Sequence, residues 1–169
     1  MGLCLWATAA GAGEGLWMVG MRVQGTVDFE PGNDYFIGPE IGYSDFNLAS
    51  HRLQLKAAYL TSRMEQAFRP PILKQDYFLL SPIWHFGRNS LFDPLLKADL
   101  GYYRYDVVSK SIFGSLDNDS WIASLQLGLG LNLAQGQYGL DYHVGYNLIA
   151  PQSGLVYPVV FGLSAWMML

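Results

Sequence analysis

From Leu16 to Leu169 hydrophobic residues recur at alternate positions. The stretch Ser120–Gln135, SWIASLQLGLGLNLAQ, shows this most plainly: Leu125, Leu127, Leu129, Leu131 and Leu133 are separated by Gln126, Gly128, Gly130 and Asn132. A helix, with a period of about 3.6, would scatter these leucines around its axis, whereas a strand puts all five on one face. The same alternation recurs in seven further segments, 16–29, 34–46, 52–62, 75–86, 94–105, 137–149 and 155–169. Eight strands are predicted, and the opposite face is unusual in each. Where a strand on a soluble core would show Lys, Glu or Thr to water, these offer mainly Gly, Gln, Ser and Asn.

The connectors alternate as well. Those after the second, fourth and sixth strands are fairly short, while RMEQAFRPPILK and VVSKSIFGSLDND, after the third and fifth, are long and polar. An outer-membrane barrel has short periplasmic turns, longer outer loops and an aromatic girdle at each interface. Trp17, Tyr43, Tyr59, Trp84, Tyr102, Trp121, Tyr138, Tyr146 and Tyr157 fall near strand ends on the apolar face, as such girdles require. The fold predicted is all-β: an eight-stranded antiparallel up-and-down transmembrane β-barrel. A soluble ligand-holding barrel would turn the apolar face inward and needs a better solvated second face. A helical bundle is opposed by the sustained alternation and by Pro151, Gly154 and Pro158 in the longest uncharged run.

Composition sharpens this picture. Charged residues make up 14% of the 169 residues, against roughly 25% in soluble domains, which is too few to cover a water-exposed surface. A net charge of −4 with no basic run argues against a nucleic-acid partner. The single cysteine, Cys4, leaves no disulfide, zinc cluster or cysteine nucleophile for the rest of the chain. Residues 1–12, apolar and ending in small residues at Ala-x-Ala spacing, are expected to be the remnant of a secretory signal peptide. Residues 13–169 then form the barrel domain.

Eight strands leave a lumen only wide enough for side chains, which excludes a general diffusion pore. Arg22, Glu40, Lys56, Lys97, Asp99, Asp141 and His143 share the inward parity and carry both signs, so a lumen polar network of paired charges is expected. Pro39, Pro82 and Pro158 each delete a ladder hydrogen bond, which marks either weakened pairing near a rim or a lateral gap for a lipid chain. His51 is expected in a turn and His85 at the membrane interface beside Trp84. In DYHVGYN, Asp141, His143, Gly145 and Asn147 lie on one face at two-residue steps, close enough for an Asp to orient a His. One His and one carboxylate do not make a metal site, and no cofactor is expected.

At this strand the sequence resembles a family. HVGYNLIAPQSGLVYPVVFGLSAW, His143 to Trp166, is similar to the C-terminal part of the PagL-type lipid A 3-O-deacylases, small outer-membrane barrels with a His-x-Ser-Asn motif, then Pro-Asn-x-Gly, then the final strand. Two upstream stretches, SPIWHFGRNSLFDPLLKADLGYYRY and LGLGLNLAQGQYGLDYH, extend the resemblance over roughly the last ninety residues, with patterns that many outer-membrane barrels share. The resemblance implies a serine hydrolase reaction on lipopolysaccharide with His143 as base. Gly145 stands where the family has its Ser, Tyr146 where it has the following Asn, with Asn147 one place on, and Val156 where it has its acid. The sequence therefore favours a barrel of the bacterial outer membrane, among lipids and lipopolysaccharide, with a structural or binding role. Its external loops 62–74 and 107–118 would meet an extracellular or envelope protein partner. The alternative is a deacylase working through His143, Asp141 and Asn147 with a nucleophile from elsewhere.

Overall fold

In the computed structural model the chain forms β1 (Leu16–Val27), β2 (Asp34–Leu48), β3 (His51–Met64), β4 (Ile72–His85), β5 (Phe92–Val108), β6 (Asp117–Leu133), β7 (Tyr138–Ile149) and β8 (Val159–Met168). The structure describes residues 16–27, 34–48, 51–64, 72–87, 91–108, 117–149 and 159–169. Each strand pairs antiparallel with the next, and β8 closes on β1, with Val23 opposite Leu163. Closure leaves no sheet edge, which lipid, offering no hydrogen-bond partners, demands.

Burial decides which face points where. Leu127 is 65% exposed while its neighbour Gln126 is fully buried. The leucine face of β6 is thus the outside of the barrel, and the Gly/Gln/Ser face lines the lumen. The same holds for β1 to β5, β7 and β8: Met21, Ile41, Leu55, Leu80, Leu100, Val144 and Leu163 are exposed, while Arg22, Glu40, Lys56, Ser81, Asp99, His143 and Ser164 are buried. An apolar exterior around a polar interior belongs to a membrane barrel, and the soluble alternative fails on this point. Among the described residues no helix is long and apolar enough to cross a membrane.

Aromatic rings gather at two levels of the exterior. Trp17 packs on Tyr43 at 5.1 Å near the ends of β1 and β2 where the short turns lie, with Trp84 and Tyr138 also at those strand ends. Toward the opposite end, Tyr59 meets Phe78 at 4.9 Å and Tyr102 meets Trp121 at 5.9 Å. The end with the shorter connectors and both barrel termini is assigned to the periplasm, and the end that holds connectors 65–71 and 109–116 to the outside. The β6–β7 turn is a single 3-10 turn, Ala134–Gly136, entered and left in the left-handed region at Ala134 (φ 47) and Gly136 (φ 87).

Several boundaries differ from the sequence reading. His51 is not in a turn: it opens β3 opposite Leu48. Ser62–Met64 complete β3 and Ile72–Lys74 begin β4, while Val107 and Val108 end β5 and Asp117 and Asn118 open β6. The expected loops 62–74 and 107–118 are therefore shorter, because cross-strand pairing continues past the aromatic rows, and their centres at 65–71 and 109–116 lie outside the described residues. The expected signal segment 1–12, Tyr157 and Pro158 also lie outside them. β5 starts at Phe92, which takes Asp93 out of the predicted connector and into the wall. Pro39, in mid-strand, interrupts the β2–β3 ladder between the Ile37↔Thr61 and Glu40↔Ala58 pairs, and Pro82 interrupts β4–β5 between Leu80↔Leu100 and Ile83↔Lys97.

Candidate functional site

The lumen is layered, and each layer follows from which side chains the inward positions supply. At mid-height, three cations, Arg22, Lys56 and Lys97, face three carboxylates, Glu40, Asp99 and Asp141, all of them buried. Asp99 is the hub. Its carboxylate accepts from Arg22 at 2.5 and 3.2 Å, from Ser81 Oγ at 2.5 Å and from Gln126 Nε2 at 2.5 Å, with Lys97 Nζ 3.7 Å away. Arg22 also donates to Gln24 Oε1. On the other side of the lumen Lys56 Nζ bridges Glu40 at 3.2 Å and Asp141 at 2.9 Å. Ser164 donates to Glu40 at 3.2 Å, and Trp166 Nε1 donates to Asp141 at 2.8 Å. Burying one such charge alone is prohibitive, so matched numbers and multiple hydrogen bonds are what make a charged lumen tolerable.

Toward the periplasm a second cluster closes the barrel. His85 is buried and pairs through Nδ1 with Asp93 at 3.0 Å, and Asp93 also accepts from the Gly87 amide at 2.7 Å. Arg52 lies 3.7 Å from Asp93 and donates to Asn132 at 3.4 Å. The expectation of an interfacial His85 is thus corrected: its parity matches Ser81, which sends the imidazole inward while Trp84 takes the interface. Toward the outside, Phe36, Ala58, Leu60, Tyr77, Leu79, Tyr103 and Ile122 form a dry cluster, with Phe36 edge-on to Tyr77 at 4.5 Å and Tyr103 donating to Gln75 at 2.8 Å. This apolar layer lies on the outer side of the ionic layer.

The residues that the family resemblance points to sit inside this packing. His143 is fully buried, and its Nε2 lies 2.6 Å from Lys97 Nζ. An ammonium has protons and no lone pair, so Lys97 donates and the imidazole nitrogen accepts. Asp141 does not reach His143; it is spent on Lys56 and Trp166. Among the described residues His143 Nδ1 has no hydrogen-bond partner. The imidazole lies against Gly162 directly across β8, where a Cβ would collide with its Cε1, and Trp166 lies on Gly139 in the same way. These glycines are the floor on which two lumen rings rest. Asn147 is buried in the same wall. Ser81 and Ser124 donate to Asp99, and Ser164 donates to Glu40. Asp141 and these three serines are thus each hydrogen-bonded to lumen groups other than His143.

The exterior of β3–β6 carries a feature that the sequence reading did not single out. Reading outward, cross-strand register stacks three lipid-side rows: Ala57, Leu80, Leu100 and Ala123; then Tyr59, Phe78, Tyr102 and Trp121; then Thr61, Asp76, Arg104 and Asp119. Tyr59 donates to Asp76 at 2.7 Å, and Tyr102 donates to Asp119. The signal was present as charged residues two places beyond an outward aromatic, as in Tyr102-x-Arg104 and Asp119-x-Trp121.

No protein-family model matches the sequence, and no curated protein does. Solved structures do resemble the fold. Neisserial surface protein A superposes with a TM-score of 0.58 at 16% identity over 92% of this chain and 96% of its own. The N-terminal barrel domain of Pseudomonas aeruginosa OprF gives 0.59 at 15% identity over 92% and 100%. Ail, the attachment invasion locus protein of Yersinia pestis, gives 0.55 at 14% identity over 92% and 97%. The outer membrane enzyme PagL is also similar, with a TM-score of 0.49 at 15% identity. At these identities the likeness concerns the fold, and by fold and exterior this chain is an eight-stranded barrel of the outer-membrane type.

Proposed function

We propose that the protein is a non-hydrolytic barrel of the bacterial outer membrane, a rigid scaffold whose outer rim and connectors 65–71 and 109–116 bind an extracellular or envelope partner. The observation that carries this reading is the occupancy of the lumen. Every charged group in the middle layer is engaged with another lumen group, and His143 accepts from Lys97 where a base would need its lone pair. A sealed lumen neither conducts nor turns over substrate, so action falls to the rim, where loops on a stiff support ordinarily bind. The PagL-type resemblance places its chemistry on His143, and His143 points inward.

The test is the lipid A mass profile of a Gram-negative host with and without the protein, with folding confirmed in the same sample by heat-modifiable gel mobility. An unchanged profile is expected. Loss of one 3-hydroxyacyl chain that returns in His143→Ala would overturn the scaffold reading in favour of a deacylase.

A further inference from the structure

The two lumen histidines face opposite charges. His85 turns Nδ1 to a carboxylate, Asp93 at 3.0 Å, so a proton gained there meets an anion. His143 turns Nε2 to an ammonium, Lys97 Nζ at 2.6 Å. With Nε2 accepting, the single ring proton of the neutral imidazole sits on Nδ1, and a second proton could enter only at Nε2, directly against Lys97. Neither partner has room to withdraw. The imidazole rests on Gly162, where a Cβ would collide with its Cε1, so the β8 wall stands behind it. Lys97 lies 3.7 Å from Asp99, whose oxygens are already engaged by Arg22, Ser81 and Gln126.

The charges around the ring leave a second proton without a counter-ion. Lys97 and Asp99 act on it from β5, Arg22 from β1 and Lys56 from β3. Glu40 of β2 and Asp141 of His143's own strand complete the layer, both bound to Lys56. At this level β4, β6 and β8 contribute Ser81, Gln126 and Ser164, none of them charged. Three cations already match three carboxylates, and a protonated His143 would add a fourth cation to a layer held out of water. We propose that Lys97 and His143 form an acid-sensitive switch in the lumen: the pair carries one positive charge in the closed barrel, and a second proton breaks the contact and loosens the ionic layer. In the unfolded chain an imidazole takes up its proton near about pH 6.5. Below that pH the unfolded chain binds one proton more than the barrel, so stability is whole above it and is lost as the pH falls. The switch rests on the same Lys97–His143 contact as the scaffold reading, but it is read from folding and not from lipid A, so the two fail separately.

The test is urea unfolding of the barrel in lipid vesicles at about pH 7.5 and about pH 5.5, one unit either side of the free imidazole. Wild type, His143→Gln and Lys97→Gln are compared, and the other two histidines, present in all three, cancel. On acidification the unfolding equilibrium constant of wild type is expected to rise about tenfold more than that of His143→Gln, the factor set by one imidazole proton. In Lys97→Gln the ammonium is gone, a proton on His143 restores the balance of the layer, and the extra factor is expected to vanish. A rise in wild type no larger than in His143→Gln would overturn the switch, and an extra factor that survives in Lys97→Gln would overturn the pairing. Nitrogen-15 NMR of wild type labelled in its histidines, in lipid nanodiscs, gives a reading that needs neither variant to fold. One neutral imidazole with its proton on Nδ1 is expected to persist at the lower pH, and three imidazolium signals from a folded barrel would overturn the switch as well.

Discussion

On β6, Gln126 and Leu127 are neighbours in the chain and live in different solvents. Gln126 is fully buried and donates to the Asp99 carboxylate, while Leu127 stands out toward lipid. What each side chain must satisfy differs accordingly. Inside, each charged group of the middle layer depends on a specific partner close by, and its replacement leaves that partner stranded. Outside, a residue needs only to be apolar and of tolerable size, because lipid adapts to its shape. The lumen should therefore be intolerant residue by residue and the exterior tolerant by class, with the exposed Arg104 and Asp119 at the outer end of β5 and β6 the most tolerant of all.

The sharpest break of this contrast is Asp99→Ala, which leaves Arg22 buried without its counter-ion and should cost about 3–5 kcal/mol. The midpoint of urea unfolding in lipid vesicles measures this directly. Replacing both partners, as Arg22→Met with Asp99→Leu, should recover most of that loss, since an apolar pair of similar volume carries no desolvation penalty. A double variant as unstable as Asp99→Ala would show that the other hub partners, Ser81 and Gln126, dominate. On the exterior, Leu127→Arg breaks the class rule and should cost about 2–4 kcal/mol, the value for a cation near the middle of the bilayer. The smallest effect is expected for Arg104→Gln, about 0–1 kcal/mol, because Arg104 is exposed and charge interactions at such positions are weak. A loss above that range would place Arg104 below the membrane surface and move the assigned interface outward.

Period-2 alternation is robust in a barrel because every residue pair straddles the same wall, so the eight strands and their inward sets were readable without coordinates. The sides of Arg22, Glu40, Lys56, Lys97, Asp99, Asp141 and His143 all followed from parity. Partnership did not. Asp141 and His143, two apart on β7, look like a pair, but the lumen brings Lys56 of β3 and Lys97 of β5 across to them first. Sequence distance along one strand cannot rank such contacts against contacts across the barrel. His85 went astray for a related reason: standing beside Trp84 suggested the interface, whereas neighbours on a strand face opposite ways. The outward charged row was missed because Asp76, Arg104 and Asp119 lie on three different strands, and only register sets them side by side.

The central claim is that the odd-numbered positions of β6 face lipid and the even-numbered ones a sealed lumen. Spin labels placed singly from Leu125 to Gly130, in a chain carrying Cys4→Ser and reconstituted in vesicles, test it through collision rates with oxygen and with a water-soluble nickel chelate. The account predicts strong oxygen collisions at positions 125, 127 and 129, and neither reagent reaching 126, 128 and 130. Nickel access at 126 and 128 would contradict it, because that would require a water-filled pore or a barrel turned inside out.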